Sequence, residues 1–498
     1  MYTRWLRRFV FLFVFLILAG AAAARPSSWE WPLSTPEEQG IDSSGLAKMI
    51  DVARQMGTNL HSVVIVRNGH LILDASFFPN NSSTPHELAS VTKTIVGTLV
   101  GIAIDRGDIE GVDQPVLDFF PEVSAPSPEQ RAMTIKHLLT MTSGLQCGDY
   151  AGWIASPDSV AYIWAQPMSS QPPAPFHYCG QDSHLLSAIV SRATGMPTQE
   201  FARAYLFEPL GISEWTWATD PQGIPIGESR LALSPLDVAK IGQLYLQEGQ
   251  WNGQQIVSAN WVEAATRIQV VASQGGTGQD FGYHAWWMRP DKDVYMAIGS
   301  GGQFIIVTPS EKLVTVFTAG LDESDGSAPN GLYNSAVLPA VLSDDPLPPN
   351  PEGAAALQAQ LDAITYPAPG EIPPLPKLAV AISGHLFNLE ANAQGWETFT
   401  LEFGEGVDTA LLYLTGNGEE VLAFIGMDGV YRLNTIPGGT VALRGRWRGE
   451  DRLWIDAQVI GAASTYEIRL QFKDQGVSIS IVDPVFGVGN ESITGTME

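Results

Sequence analysis

The alternation of hydrophobic and polar positions in the first part of the chain predicts a helix, a hairpin and a buried helix. A polar-capped stretch predicts a helix that begins near Asp42. The run HSVVIVRNGHLILDASF has β-branched and aliphatic residues on both sides of Asn68-Gly69, a dipeptide typical of a tight hairpin turn. Apolar residues then recur at helical spacing through residues 86–107, which predicts a long helix destined for a core.

Strand-like patterns return only after a long helical middle. Residues from about 112 to 264 have helical spacing and are punctuated by Gly and Pro. Three later runs have strand-like patterns, FGYHAWWMR, VYMAIGSGGQFIIVTP and KLVTVFTAG. Early strands, a helical insert and late strands predict an α+β domain whose antiparallel sheet is assembled from both ends of the domain.

The pattern changes again at residue 344. Two proline-rich stretches, DDPLPPNPEG and TYPAPGEIPPLPK, flank a short alanine-rich helix. Strand then follows strand to the end of the chain, with Gly and Asp turns, which predicts an all-β barrel-like domain. We therefore predict a first domain at 25–343, a proline-rich linker at 344–378 and a β domain at 379–498. We expect Trp447 and Trp454 to fill the barrel core, the alternative being that they line a pocket.

The first 24 residues predict a signal peptide. Three arginines precede an apolar run from Phe9 to Ala19, and small residues follow up to Ala24. A membrane anchor is the alternative, but the apolar run is short for a span and its alanine-rich end suits cleavage. No later segment is long and apolar enough to cross a bilayer. We therefore expect an exported protein, periplasmic or extracellular, without a stable membrane span after cleavage.

Charge and cysteine content narrow the partners and the compartment. The formal net charge is −26, and a surface this acidic repels phosphate backbones, so we expect no nucleic-acid partner. Cys147 and Cys179 are the two cysteines. An even pair in an exported chain indicates a disulfide, the alternative being two unrelated buried thiols.

The head of the apolar helix carries a serine and a lysine three residues apart. Residues at this spacing share a helix face, so the Lys93 amine can reach the Ser90 hydroxyl. A poorly solvated lysine can accept or relay the proton of a serine nucleophile, and a helix N-terminus favours a developing oxyanion. The pair is therefore a candidate catalytic centre. The alternative is a capping serine beside a solvated lysine.

Three further motifs follow Ser90-Val-Thr-Lys93 in order: HLLTMTSGL, Tyr178-Cys179-Gly180, and GSGGQ from Gly299. Together the four motifs resemble those of the serine β-lactamase-like superfamily, which includes class C β-lactamases, D-alanyl-D-alanine carboxypeptidases, related esterases and 6-aminohexanoate-dimer hydrolases. The resemblance covers residues 31–343. It implies a serine hydrolase domain with helices on both faces of the sheet and a mainly helical subdomain. The C-terminal domain resembles lipocalin-like β modules that follow such hydrolase domains.

The resemblance also implies a role for each motif. Ser90 would be the acylated nucleophile, Lys93 and Tyr178 would handle its proton, and Tyr178 would help to activate the deacylating water. The oxyanion and substrate would be held by the Ser90 N–H and by the strand containing Gly299, Ser300, Gly301 and Gly302. A Cys147–Cys179 disulfide would fix the tyrosine loop, and neither metal nor cofactor is implied.

Three positions depart from the family pattern. Met141 replaces a histidine, Gly180 replaces an asparagine that contacts a substrate amide, and Gly299 replaces a cation that orients a substrate carboxylate. The two glycines favour a small-molecule ester or simple amide as the substrate. β-Lactamase or D-alanyl peptidase activity is an alternative, and so is a non-catalytic binding protein on the same scaffold. The sequence leaves the oligomeric state open.

Other hydrolase classes lack their motifs. HELAS at His86 places Ser90 where a zinc-protease helix needs its second histidine. No G-x-S-x-G elbow of an α/β-hydrolase occurs in the chain.

Overall fold

The structure, a computed structural model, describes residues 30–124, 126–272, 280–289, 293–322, 325–483, 485 and 488–498. The predicted signal peptide therefore lies outside the described residues. Within these ranges no helix combines the length and the apolar character needed to cross a bilayer.

An antiparallel sheet of seven strands forms the centre of the first domain. The strands of this domain are β1 (Leu60–Arg67), β2 (His70–Ser76), β3 (His86–Glu87), β4 (Trp215–Trp217), β5 (Leu231–Leu233), β6 (Gln250–Trp251), β7 (Gln254–Gln255), β8 (Asp280–Phe281), β9 (Trp286–Arg289), β10 (Val294–Gly299), β11 (Gln303–Thr308) and β12 (Leu313–Ala319). The order in the central sheet is β2-β1-β12-β11-β10-β9-β8, and β3, β5 and β4 form a small second sheet. Because β1 pairs with β12, the sheet joins the two ends of the domain, as predicted.

Helices pack on both faces of this sheet, which confirms the α+β prediction. They are α1 (Ser43–Gln55), α2 (Val91–Asp105), α3 (Pro128–Arg131), α4 (Ile135–Leu139), α5 (Tyr150–Ala155), α6 (Ser159–Trp164), α7 (Gly180–Thr194), α8 (Thr198–Ala202), α9 (Pro235–Leu246), α10 (Ala259–Ala265), α11 (Ala328–Leu332), α12 (Leu338–Ala340), α13 (Pro351–Thr365) and α14 (Lys377–Ile382). Short 3-10 helices lie at Glu37–Gln39, Val116–Phe119 and Pro309–Glu311, and π-helical turns at Arg203–Phe207 and Tyr333–Val337.

Strand β1 shows why both faces are covered. Its residues alternate between the two layers: Val63 and Ile65 pack in the core with α1 and α13, whereas Val64 and Val66 pack in the core with α2 and α9. All eight residues of β1 are buried. A strand that is apolar on both sides needs a layer of helices on each.

The segment predicted as a linker contains a helix that packs on the first domain. Leu357 and Ile364 of α13 are buried in the core that contains α1. Arg54 of α1 also donates a hydrogen bond to Gln360 at 2.8 Å. The proline-rich stretches therefore flank a helix that is anchored to the first domain.

The C-terminal domain is a β-barrel, as predicted. Its strands are β13 (Leu386–Leu389), β14 (Trp396–Glu402), β15 (Thr409–Gly416), β16 (Glu419–Gly426), β17 (Arg432–Ile436), β18 (Gly439–Trp447), β19 (Arg452–Val459), β20 (Thr465–Lys473), β21 (Gly476–Asp483) and β22 (Val488–Met497). A parallel pairing of Gly426 with Arg444 joins β16 to β18 and closes a ring of nine strands, and β17 pairs with β18 beside the ring.

The two tryptophans of the barrel have different surroundings. Trp447 packs among the core aromatics, with its ring centroid 5.5 Å from that of Phe403 and 6.1 Å from that of Phe472. Trp454 instead lies beneath the guanidinium groups of three arginines at 4.8–5.5 Å from its ring centroid, Arg446, Arg448 and Arg469. The expectation of a core position therefore fits Trp447 and is wrong for Trp454.

The turn between β19 and β20 packs against the first domain. The Glu87 N–H of β3 donates to the Gly461 carbonyl at 2.7 Å. The side chain of Gln458 hydrogen-bonds the buried His61 of β1. These contacts place the barrel beside the segment that leads from β3 to Ser90.

Candidate active site

Ser90 stands at the N-terminus of α2, the most deeply buried helix of the first domain. Every residue from Val91 to Ala103 is buried, so the helix is packed on all sides and its position within the core is fixed. Ala89 has a positive φ of 45°, a strained conformation for a residue with a Cβ. The Ser90 hydroxyl makes no capping hydrogen bond to the helix. The sharp turn thus leaves this hydroxyl available to other groups.

Lys93 is buried and points at the serine. Only 2% of the residue is exposed. Its Nζ donates to Ser90 Oγ at 3.0 Å and to the Glu228 carbonyl at 2.8 Å. A buried amine needs such partners, because burial without them is costly. The lysine is therefore not solvated, and the simple capping alternative does not describe this pair.

Tyr178 lies beside the lysine at the mouth of the site. Its ring centroid is 4.9 Å from Lys93 Nζ, and the ring stacks on Trp287 at 6.1 Å and 22°. The residue is 39% exposed. Among the described residues, none hydrogen-bonds the Tyr178 hydroxyl. The structure thus brings the phenol to the Ser90–Lys93 pair without a hydrogen bond to either.

The glycine motif packs its backbone against the nucleophile turn. A Cβ added to Gly299 would lie 2.5 Å from the Leu88 carbonyl, so only glycine fits there. Ser300 is exposed, whereas Gly301 and Gly302 are buried and have positive φ values of 79° and 88°. The β10–β11 turn is therefore directly adjacent to the segment that carries Ser90.

Gln303 holds this turn in place, a role that the sequence analysis missed. Its amide donates to the Ala319 carbonyl at 2.7 Å and to the Ser300 carbonyl at 3.3 Å. It also accepts from the Ala319 N–H at 3.3 Å. A glutamine inside an apolar strand pattern was the available signal, because a buried polar side chain needs partners.

The tyrosine loop is fixed by covalent and hydrogen bonds. The structure contains the Cys147–Cys179 disulfide, with 5.7 Å between the Cα atoms. The His177 N–H donates to the carbonyl of Met141, in the second motif, at 3.0 Å. In the first turn of α7, Asp182 is fully buried, and burial raises the pKa of its carboxyl well above the usual range, against a smaller opposing effect of the Ser143 hydroxyl. Burial therefore favours the protonated form of Asp182.

Glu228 is a second residue that sequence reasoning missed. A Cβ added to Gly180 would lie 1.5 Å from Glu228 Oε2, so this carboxylate fills the space beside the glycine. Arg230 lies 4.0 Å from Glu87. Burial and the Glu228 charge raise the pKa of the nearby Tyr150 hydroxyl, while Arg230 lowers it. The side chains of Glu228 and Arg230 thus both interact with the Tyr150 hydroxyl, and the three form one cluster beside Gly180.

His284 approaches Lys93 from the core side and was also missed. A Cβ on Gly97 of α2 would lie 2.8 Å from the His284 Cβ. Burial, helped by the charge of Lys93, lowers the pKa of His284 to about 3. The imidazole is thus neutral. His284 has a positive φ of 48° and lies between β8 and β9, so no periodic pattern in the sequence indicated its position.

The described residues contain one grouping of possible metal ligands, Cys147, Cys179 and Asp182. Two of its members are joined in the disulfide, so they cannot bind a metal as thiolates.

A central antiparallel sheet with a helical insert, and a serine and lysine three apart at the head of its buried helix, define a β-lactamase-like domain. The Beta-lactamase family model matches residues 52–338, and the chain belongs to this family of hydrolases.

Several known proteins are similar to this chain. It is 26% identical to a 6-aminohexanoate-dimer hydrolase of Paenarthrobacter ureafaciens, over 61% of this chain and 84% of that protein. It is 30% identical to esterase EstB of Burkholderia gladioli over 27% of this chain and 39% of that protein. The octameric penicillin-binding protein homologue from Pyrococcus abyssi has a similar fold, with a TM-score of 0.50 and 17% identity over 91% of this chain and 99% of that one.

Proposed function

We propose that the protein is an exported serine hydrolase that cleaves an ester or amide bond of a small molecule through a covalent acyl-serine. The observation that carries the proposal is the contact of Lys93 Nζ with Ser90 Oγ at 3.0 Å. The bond of Lys93 to the Glu228 carbonyl links two distant segments, whereas its bond to a serine hydroxyl that caps no helix is the contact that activation of a nucleophile requires. The 6-aminohexanoate-dimer hydrolase and esterase relatives support this reaction class.

In the first half of the reaction, Ser90 Oγ attacks the substrate carbonyl carbon. The neutral form of Lys93 accepts the hydroxyl proton. Tyr178, whose ring centroid lies 4.9 Å from Lys93 Nζ, relays a proton to the leaving alcohol or amine. The carbonyl oxygen becomes an oxyanion, which the Ser90 N–H and an N–H near Gly302 would stabilise. The bond to the leaving group then breaks and leaves the acyl group on Ser90.

In the second half, water attacks the acyl-serine. We assign the role of general base to Tyr178, because it is 39% exposed and therefore contacts both the solvent and Lys93. The water gives one proton to the Tyr178–Lys93 pair, and that proton returns to Ser90 Oγ as the carboxylic acid leaves. The Cys147–Cys179 disulfide holds this loop and is compatible with an exported protein.

Ester or simple amide substrates are favoured over β-lactams by the glycine turn. A cationic side chain at position 299 would have to share its space with the Leu88 carbonyl, which lies 2.5 Å from the position of a Cβ. The substrate carboxylate of a β-lactam therefore lacks its usual partner at this position.

Hydrolysis assays with variants of Ser90 test the proposal. Wild type should hydrolyse p-nitrophenyl acyl esters and be labelled by a fluorescent phosphonate, and Ser90→Ala should lose both properties. Ser335→Ala, which changes an exposed serine far from the site, is the matched control. Hydrolysis of nitrocefin without ester hydrolysis would establish the β-lactamase alternative. Absence of both hydrolysis and labelling would contradict the proposal and favour the alternative of a non-catalytic binding protein.

A further inference from the structure

A cleft opens at the end of the central sheet that is remote from Ser90. Its volume is about 350 Å³, which is in the size range of small-molecule sites, and it lies between the β1–β2 turn at Gly69 and the β6–β7 turn. Leu60, at the opposite end of β1, pairs with Ala319, which contacts the β10–β11 turn. Because β1 has eight residues, its two ends are about 23 Å apart. The cleft is therefore separate from the candidate active site.

Two tryptophans form the floor of this cleft. The ring centroids of Trp31 and Trp251 are 6.0 Å apart, and the ring planes are at 90° to each other. Trp31 Nε1 donates to the Leu236 carbonyl at 3.1 Å, and Trp251 directly precedes the β6–β7 turn. The two residues are only 8% and 3% exposed. The floor is thus held by the core and offers a small apolar surface to a ligand.

Four amide side chains line the cleft above the floor. Gln247, Gln250 and Asn252 are exposed, whereas Gln243 is 3% exposed. Among the described residues, none hydrogen-bonds any of these four side chains. Gln243 Oε1 is enclosed, and half a turn of the amide would bring this acceptor to the cleft. Because a buried amide without partners is costly, Gln243 is suited to a ligand that enters the cleft.

The chemistry of the lining selects a class of ligand. None of the described residues that line the cleft has an ionisable side chain, although the formal net charge of the chain is −26. A carboxamide both donates and accepts hydrogen bonds, and so does a hydroxyl group, so four amides match a ligand that carries several hydroxyls. Tight turns at Gly69 and Gly253, with φ values of 75° and 77°, bound the cleft on two sides. This shape favours a compact ring over an extended peptide.

We propose that this cleft binds an uncharged sugar unit of a saccharide, as a second site that is independent of the proposed hydrolase reaction. The hydroxyl groups of the sugar hydrogen-bond Gln243, Gln247 and Asn252. The apolar face of the sugar ring packs on the indoles of Trp31 and Trp251. The site would attach the protein to a neutral glycan while Ser90, at the other end of the sheet, stays open to its own substrate.

The test measures the binding of neutral saccharides to the purified protein by isothermal titration calorimetry. The probes are maltohexaose, cellohexaose and the hexamer of N-acetylglucosamine. We expect at least one of them to bind saturably with a Kd of about 1 mM, the affinity that a few uncharged hydrogen bonds supply. Glucose and N-acetylglucosamine are titrated in the same way. Equal affinity for the single sugar would identify a free sugar as the ligand, and tighter binding of the hexamer would identify a glycan chain.

Two substitutions remove exposed amides from the cleft. Gln247→Ala changes the end of a helix, and Asn252→Gly keeps the positive φ of 49° that the β6–β7 turn requires. Each should weaken binding about fivefold, and the double variant about 25-fold. Gln358→Ala removes an exposed glutamine from α13 and is the matched control, which should bind like wild type. Ser90→Ala should also bind with unchanged affinity, because the two sites are separate.

Several results would overturn the inference. Unchanged affinity in the double variant would place the saccharide elsewhere, and loss of binding in Ser90→Ala would place it in the active site. Absence of binding by all three hexamers would leave the cleft as a water-filled gap between two turns. Binding of hexaglycine that depends on the same two amides would identify a peptide site instead. None of these measurements requires hydrolysis, so failure of the hydrolase proposal would leave the saccharide site to be decided by binding alone.

Discussion

A buried chain of hydrogen bonds at the contact between the two domains predicts how stability depends on pH. The Gln458 amide donates to His61 Nε2. His61 Nδ1 then donates to His86 Nε2 at 2.7 Å, and His86 Nδ1 donates to the Glu87 carbonyl at 2.9 Å. This assignment of tautomers satisfies each nitrogen only when both imidazoles are neutral. Protonation of either ring therefore places two donors face to face.

Burial sets the direction and size of the effect. It lowers the pKa of His86 to about 4, against a small opposing contribution of the hydrogen bond to Glu87, and it lowers the pKa of His61 well below the usual 6.5. In the unfolded chain these rings protonate near 6.5, so below that pH the unfolded state binds more protons than the folded state. Folding stability is thus complete above 6.5 and falls as the pH decreases toward 4. At 1.36 kcal/mol per pH unit, His86 alone contributes a loss of about 3 kcal/mol.

The assay compares wild type with His86→Gln, because other groups titrate over the same range. Glutamine can donate and accept at this position but does not titrate. Chemical unfolding followed by tryptophan fluorescence should show the wild type losing about 3 kcal/mol more than the variant between about pH 7.5 and about pH 4. Stability curves that run parallel over this interval would refute the assignment of neutral, paired histidines.

Three further predictions concern the loop and turns around the site. Replacing Cys147 and Cys179 by serine should lower the free energy of unfolding by about 3–4 kcal/mol, because the bridge closes a loop with a sequence separation of 32. Ester hydrolysis, measured at a temperature where the variant is folded, should also decrease. Unchanged denaturant midpoints would contradict this prediction. Asp182→Asn should be more stable than wild type at about pH 8 and should lose that advantage toward about pH 4. The reason is that the raised pKa of the Asp182 carboxyl makes wild type lose stability as the pH rises. A stability advantage independent of pH would exclude a protonated carboxyl. Gly299→Lys should reduce both ester hydrolysis and thermal stability without creating nitrocefin hydrolysis, because the Leu88 carbonyl occupies the space that the lysine side chain requires. A gain of nitrocefin hydrolysis would show that the β10–β11 turn can move.

The parts of the fold that follow from local pattern were predictable. Asn68 and Gly69 have φ values of 51° and 75°, as a tight hairpin turn between twisted strands requires. Asp42 caps α1 by accepting from the Ser44 N–H at 3.0 Å. The apolar run behind Ser90 is helical because nothing in it breaks a helix and every side is buried.

Features that depend on contacts distant in sequence were not predictable. Gln303 and His284 are polar residues in apolar surroundings, and only the folded chain shows what lies beside them. Trp454 has the same pattern as a core residue, but three arginines, two on neighbouring strands and one in the β18–β19 turn, cover it on the outside of the barrel. The sequence contains each arginine but not the register that brings them together.

The two glycine departures from the family motifs have a common physical explanation. At Gly299 the missing side chain is replaced by the Leu88 carbonyl, 2.5 Å from the position of a Cβ, and at Gly180 by the Glu228 carboxylate, 1.5 Å from it. Each glycine therefore admits an oxygen atom of this chain next to the nucleophile turn or the tyrosine loop. Motif comparison alone treats both positions as lost contacts, whereas the structure shows that both spaces are filled.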